Sequence, residues 1–260
     1  MKRTTIFFTL LLFLQAAQAQ IESMMQTIEP ALLECRYQWI QKTDTLGTEI
    51  AVDTMVLRIG KNVSQCYPQS TFSTDSLVNT PNGGEIFMQQ MMNFMSKKGP
   101  RPGTKIINRY YYKNYPDGKF NTFAPIQIPV RIEENYQKQA WVTIADSTKT
   151  VLGYPCQLAI CHFQGREYKA WYTTEIPYQE GPWKFNGLPG LITEVYDTKN
   201  HYHFTLVSVR KDHLPPVCFY KLKAESLLEV PKKERIAFLK ESAKSNKHPF
   251  DFMETDYHNY

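Results

Sequence analysis

The chain has 260 residues, with 30 Lys plus Arg against 25 Asp plus Glu and a formal charge of +5. A hydrophobic share of 42% with 13% aromatics is enough to build a core, which excludes a wholly disordered chain. The charge is small and mixed, so it makes no case for a nucleic-acid partner. Lys2 and Arg3 precede an apolar run from Ile6 to Leu14, and Ala17-Gln18-Ala19 supplies a small-residue exit. Together these predict a cleaved secretory signal over residues 1–19 and a mature chain starting at Gln20. The run is about half the ~20 apolar residues a membrane span needs, so no stable membrane anchor is expected. Loss of Lys2 and Arg3 leaves 28 cationic against 25 anionic residues, a charge of +3. The expected location is the periplasm, or outside the cell, where disulfides are permitted.

Downstream, the alternation of Tyr37 and Trp39 marks a strand over 34–40. Strands over 50–59 and 63–67, joined by the Gly60-Lys61-Asn62 turn, complete a meander with it. Residues 73–83 are polar and read as a connection. Over 85–97, Met88, Met91, Met92 and Met95 recur at i, i+3, i+4 and i+7, beside Phe87 and Phe94. That spacing predicts a helix with one apolar face packed into the core. The same thioethers also suit copper(I), although methionine is an ordinary core filler. Further strands are expected over 106–115, 120–128 and 139–144, then near-continuous hairpins over 151–210. A second helix is expected over 226–245, from Leu227, Leu228, Ile236 and Leu239. Residues 248–260 read as a polar-aromatic tail. The expected organisation is one β-rich domain over 20–247, an open antiparallel sheet with two helical segments.

Counting registers two hairpins. Gln164-Gly165 fits a two-residue loop, which places His162 opposite Glu167 and Leu158 opposite Trp171. Cys156 and Cys161 then lie on opposite faces of one strand, roughly 16 Å apart, too far to bond to each other. Any disulfide would draw partners from Cys35, Cys66 and Cys218, and a core of this size does not need one. In the second hairpin, a loop over 197–200 places Tyr196 opposite His201 and Glu194 opposite His203. Glu194, His201 and His203 would then share a polar face. Two imidazoles and a carboxylate could hold a divalent metal there, or form a solvated Glu–His face. Leu188-Pro189-Gly190-Leu191 fits a type II turn, and the nearby glycines allow a close backbone crossing.

Gly187-Leu188-Pro189-Gly190-Leu191-Ile192 spells the hexapeptide that names the GLPGLI family of exported bacterial proteins. Its surroundings resemble the family too. They include Gly153-Tyr154 before Cys156, Gly165-Arg166 leading to Ala170-Trp171-Tyr172-Thr173, and Glu175-Ile176-Pro177. Gly181-Pro182, Lys184-Phe185 and the upstream Leu57-Arg58-Ile59-Gly60-Lys61-Asn62-Val63-Ser64 complete the likeness. Gln65-Cys66-Tyr67 departs from it, and of Cys156, Cys161 and Cys218 only Cys156 sits at a motif position. The resemblance implies an open half-barrel of the lipoprotein-carrier type and a neighbourhood with TonB-dependent outer-membrane receptors. It implies no reaction.

Within such a half-barrel, Trp171, Tyr172, Trp183, Phe185, Leu188 and Pro189 are the candidates for binding an apolar ligand, a peptide or a receptor. No hydrolase, metalloprotease or nucleotide-binding motif occurs, and no cofactor is implied. The expected role is a non-enzymatic accessory or binding protein. A metal-handling protein using His201, His203 and Glu194 is the first alternative, and a hydrolase with a dispersed site the second.

Overall fold

A computed structural model describes residues 25–42, 50–78, 80–98, 109–124, 130–220 and 228–229. The expected signal segment, the expected tail and nearly all of the second expected helix lie outside the described residues. In chain order the strands are β1 (Met25–Glu29), β2 (Leu33–Lys42), β3 (Ile50–Ile59) and β4 (Ser64–Pro68). Two helices follow, α1 (Gln69–Val78) and α2 (Gly83–Met95). Then come β5 (Tyr110–Lys113), β6 (Lys119–Ala124), β7 (Val130–Asn135), β8 (Val142–Val151), β9 (Tyr154–Phe163) and β10 (Arg166–Thr173). The last are β11 (Leu191–Asp197), β12 (Tyr202–Arg210), β13 (Val217–Tyr220) and β14 (Leu228–Glu229).

Twelve strands form one sheet in the order β14-β7-β6-β5-β4-β3-β2-β12-β11-β10-β9-β8, while β1 pairs with β13 in a small second sheet. All neighbours are antiparallel except β14 on β7. The end strands do not pair with each other, so the sheet stays open. It must nonetheless curl. Strands β7 and β8 stand second and twelfth in the order, which in a flat sheet is about 48 Å at ~4.8 Å per spacing. Residues 136–141 join them, and a stretch that short reaches at most about 25 Å. The connection therefore brings the two ends of the sheet towards each other.

Period-two alternation assigns the faces. On β5, Tyr110 and Tyr112 join the outer cluster with Val56, Tyr67 and Phe123, while Tyr111 joins the inner core. Phe72 of α1 and Phe219 of β13 cover the outer cluster, with Phe219 4.7 Å from the Tyr112 ring. The inner core gathers Leu33, Tyr37, Met55 and Leu57 with Tyr168, Val195, Tyr202 and Phe204 from the other half of the sheet.

The meander forms as expected, with β3 spanning the predicted 50–59. Cys35 pairs with Leu57 and Leu57 with Cys66, so the middle strand separates the two cysteines by about 10 Å. All five cysteines are free thiols. The first hairpin also has the expected register, His162 opposite Glu167 and Leu158 opposite Trp171. Gln164 and Gly165 both take positive φ, 47° and 72°, the primed turn that suits strand twist.

Four expectations need correction. The second hairpin is registered two residues away, with Tyr196 opposite His203 and Glu194 opposite Thr205. Asp197 causes the shift, because its Oδ1 accepts the N–H groups of His201 and Tyr202 and draws both into the turn. The polar connection over 73–83 is largely helical. Its α1 has little apolar face and starts where Asp53 of β3 accepts the Ser70 N–H and hydroxyl, a cap supplied from another element. The methionine helix α2 is present but does not bury its face, since Met88, Met92 and Met95 are exposed along with Ile86 and Phe94. Finally, Leu228 and Glu229 are not helical; they extend along β7 opposite Val130 and Arg131, where the edge still has backbone groups to pair.

Candidate functional site

The chain between β10 and β11 folds back across the concave face and fills it. Ile176, Trp183, Phe185 and Leu188 are all buried in the inner core. Their contacts come from the other half of the curl as well as from their own. Phe163 of β9 meets Trp183 at 5.8 Å and Phe185 at 6.3 Å, while Tyr168 meets Phe185 edge-on at 4.8 Å. The segment 174–190 is thus a plug, and the sequence-predicted Trp183, Phe185 and Leu188 are the plug itself.

Polar bonds lock the plug in place. Lys113 of β5, 1% exposed, donates its ammonium hydrogens to the Gly181 carbonyl at 2.6 Å and the Phe185 carbonyl at 2.8 Å. The same Nζ pairs with Glu180 at 2.7 Å. The Trp183 N–H donates to Cys66 Sγ, and Tyr37 donates its hydroxyl to the Ile192 carbonyl at 2.8 Å. From the connection over 136–141, Gln139 bonds Lys184 and Asn186, and Trp141 Nε1 donates to the Asn186 carbonyl.

The hexapeptide gives the plug its return path. Its turn is not type II, because Gly190 takes φ 158° rather than about +80°, and the Leu191 N–H donates to the Ile176 carbonyl. The Gly190 N–H reaches Leu188 O at 2.8 Å, a three-residue turn around the exposed Pro189. Gly190 crosses so close to β10 that a Cβ there would stand 2.0 Å from the Thr173 carbonyl oxygen. The backbone crossing expected from the glycines is real, and what it meets is this chain's own strand.

The other candidates lie on the two faces of β10. Tyr172 is buried inward and donates to Gln157 Oε1 at 2.9 Å. Trp171 is half-buried and packs against the inner core, with the Lys149 ammonium 4.8 Å from its ring centre. Glu194 and His203 are brought together, Oε1 to Nε2 at 2.8 Å, and Lys149 pairs with the second carboxylate oxygen. Burial pulls the Glu194 carboxyl upward, but bonds from His203 and Lys149 win and hold it below the usual range. His201 is not with them. It sits in the turn, where Arg166 donates to its Nδ1 at 2.9 Å and burial lowers its pKa. Among the described residues, no three His, Cys, Asp or Glu come together as a metal-holding group.

Burial also quiets the thiols. Desolvation pushes Cys66 and Cys161 up to about 12 and raises Cys35 and Cys156. A thiol so raised is not a nucleophile at neutral pH.

Among the described residues, a cleft opens at the gap between the ends of the curl. It holds about 260 Å³ and is lined by Phe120, Glu134, Tyr136, Phe163, Gln164 and Lys184, among others. Lys184 pairs with Glu134 and lies 4.9 Å from the Phe120 ring centre. Gln164 Oε1 is buried there with no hydrogen-bond partner. Sequence reasoning missed this cleft, because strands that are remote in the sheet meet only through the curl.

Among the described residues the fold is therefore mainly β with two helices, an open antiparallel sheet rolled around its own plug. A family model described as a protein of unknown function (Porph_ging) matches residues 164–194, the stretch from the β9–β10 turn through the hexapeptide. No curated protein matches the chain. Among solved structures it is similar to PNGF-II in two crystal forms, P21 and C2, each at a TM-score of 0.44. Identity is 14% and 13%, and each match covers 76% of this chain and 31% of that one. The chain thus spans about a third of the length of PNGF-II. It is also similar to the LolA superfamily protein NE2245 from Nitrosomonas europaea, with a TM-score of 0.28 and 8% identity over 77% of this chain and 94% of that one.

Proposed function

We propose that this chain is an exported, non-enzymatic accessory protein of the periplasm that binds through the rim of a plugged half-barrel. The observation that carries this reading is the plug. Trp183, Phe185 and Leu188 occupy the concave face where a carried apolar molecule would lie. An apolar cargo would have to expel them, so binding falls to the rim cleft that the plug leaves beside it. The basic-apolar-small pattern of residues 1–19 supports export. The GLPGLI resemblance of residues 187–192 supports work beside a TonB-dependent outer-membrane receptor.

Fractionation of cells expressing a C-terminally tagged chain tests this. The expected result is a periplasmic protein that begins at Gln20 by mass and co-purifies with a TonB-dependent receptor. A cytoplasmic protein with residues 1–19 intact would defeat the export claim, and isolation without any such receptor would defeat the partner claim.

A further inference from the structure

We propose that the methionine face of α2 is a copper(I) site, with Met88, Met92 and Met95 as its ligands. The site lies outside the rim cleft and goes beyond the binding role proposed above. Burial supplies the first reason. A methionine stripe is ordinarily core filling, yet Met88 is 60%, Met92 52% and Met95 74% exposed. The helix rests on α1, and Gly83 is its one buried residue. Packing within the described chain therefore does not account for the stripe. Four of the nine methionines nonetheless fall between residues 88 and 95.

Helix geometry supplies the second. At about 100° per residue, Met88, Met92 and Met95 fall within an arc of about 60°. Met88 and Met92 are one turn apart, and so are Met92 and Met95, which sets neighbouring Cβ atoms about 5–6 Å from each other. Each side chain has flexible torsions with which to bring its sulfur towards a shared point above Met92. Ile86 and Phe94, the other exposed large apolar residues of α2, lie about 100° or more from all three. Within the arc every side chain is a thioether.

Donor chemistry supplies the third. Thioethers are soft, neutral ligands, and they select copper(I) over the harder magnesium, calcium and manganese ions. Among the described residues no three His, Cys, Asp or Glu form a group that would draw a metal elsewhere. Glu85, three positions before Met88, is the one charged residue of α2, so the helix offers a cation no repulsion of its own. Gln89 and Asn93, beside the arc, are bonded to each other, Nε2 to Oδ1 at 3.1 Å. Cys35, Cys66, Cys156 and Cys161 are buried, and burial raises each thiol, which withholds the thiolates that would compete for copper. Copper binds and leaves as copper(I), so no electron is transferred.

Titration of the purified chain with copper(I), kept reduced by ascorbate under argon and with bicinchoninate as competitor, tests the site. A single ion per chain should bind with micromolar or tighter affinity. Met88→Leu, Met92→Leu and Met95→Leu keep the volume and the helix preference. Each should weaken capture at least about tenfold, the loss of one arm of a chelate. The triple variant should lose the ion while its melting temperature without copper stays that of the wild type. That variant keeps all five cysteines, so copper held by it at wild-type affinity belongs to the thiols and overturns the site. Methionine methyl 13C labelling of the wild-type protein gives a readout free of any folding defect. The methyl signals of Met88, Met92 and Met95 should move together on adding copper(I), and that of Met55, 0% exposed, should stay. Movement of one signal alone overturns the shared ligation. Signals that follow protein concentration and ignore copper make the face a contact between copies, which also overturns the site.

Discussion

Lys113 Nζ stands 2.7 Å from Glu180 Oε2, with the lysine 1% exposed and the glutamate 16% exposed. The pair joins the sheet to the plug. Through the same ammonium, β5 also holds the carbonyls of Gly181 and Phe185, so three plug groups depend on one side chain. Lys113→Met keeps the length of the stem and removes the charge. It leaves two buried carbonyls and one carboxylate without their donor. The expected loss is about 3–5 kcal/mol, the range for breaking a buried pair from one side. Adding Glu180→Gln should restore part of this by relieving the stranded carboxylate. Denaturant unfolding of the two single variants and the double variant measures the coupling. Additive losses would mean that the plug is not held through this pair.

Gly190 makes a sharper prediction about the hexapeptide. A methyl group there would stand 2.0 Å from the Thr173 oxygen and 2.7 Å from its carbonyl carbon. Both are backbone atoms of β10 or its end, so no rotamer relieves the clash. Gly190→Ala should cost more than about 4 kcal/mol and expose the plug tryptophan to solvent. Gly153, also at positive φ but with open space around its α-carbon, is the control for the turn conformation alone. Gly153→Ala should cost about 1–2 kcal/mol, the steric penalty of a Cβ in the left-handed region. Tryptophan fluorescence during urea titration distinguishes them, and equal losses would refute the crossing argument.

The β9–β10 register followed from Gln164-Gly165 because a two-residue loop fixes its own pairing. The β11–β12 register did not, because Asp197 captures the amides of His201 and Tyr202 through its side chain, which counting cannot anticipate. The error was even, so Glu194 and His203 stayed on one face, and only His201 was lost from the cluster. Helix α1 was hidden because its cap, Asp53, comes from another strand. Helix α2 was found by its period, but its burial was misjudged, because period says which side is apolar and not what lies against it. The plug aromatics were recognised as candidates. Their fate as the filling of the half-barrel depended on Lys113, a residue that sequence reasoning had no reason to single out.

Asp75 gives the outer face a pH dependence. Burial raises its carboxyl to about 6 from an ordinary 3.8, although Tyr110 donates a hydroxyl to Oδ2 at 2.8 Å and opposes the rise. A raised pKa means that the folded state holds its proton more tightly than the unfolded state does. The stabilisation is complete below about 3.8 and is lost as pH rises through about 6. From pH 4 to pH 7 this group should withdraw about 1–2 kcal/mol, allowing for its partial exposure. Asp75→Asn should flatten that part of the profile and raise stability at pH 7 by a similar amount, since the amide oxygen still accepts from Tyr110. Thermal melts of both proteins across pH 4–8 decide the matter. Parallel profiles would remove Asp75 as the cause.

The Glu194–His203 pair decides whether the chain handles zinc. One carboxylate oxygen accepts from His203 and the other is paired with the Lys149 ammonium. A divalent ion would have to displace that ammonium, which also lies over the Trp171 ring. The second imidazole is engaged elsewhere, with Arg166 donating to His201 Nδ1. A zinc site needs four ligands or three with an open position, and this arrangement supplies two. Zinc added to the purified chain at neutral pH should therefore leave its melting temperature unchanged. The pair should instead appear as a structural contact. Glu194→Gln keeps the shape and should cost about 1–2 kcal/mol at pH 7, by weakening two charge-assisted bonds. That cost should shrink as pH falls through the lowered Glu194 pKa, because protonation removes the same bonds from the wild-type protein. A zinc-dependent rise in melting temperature that His203→Ala or Glu194→Gln abolishes would reverse this conclusion, and would show that the ion can evict Lys149.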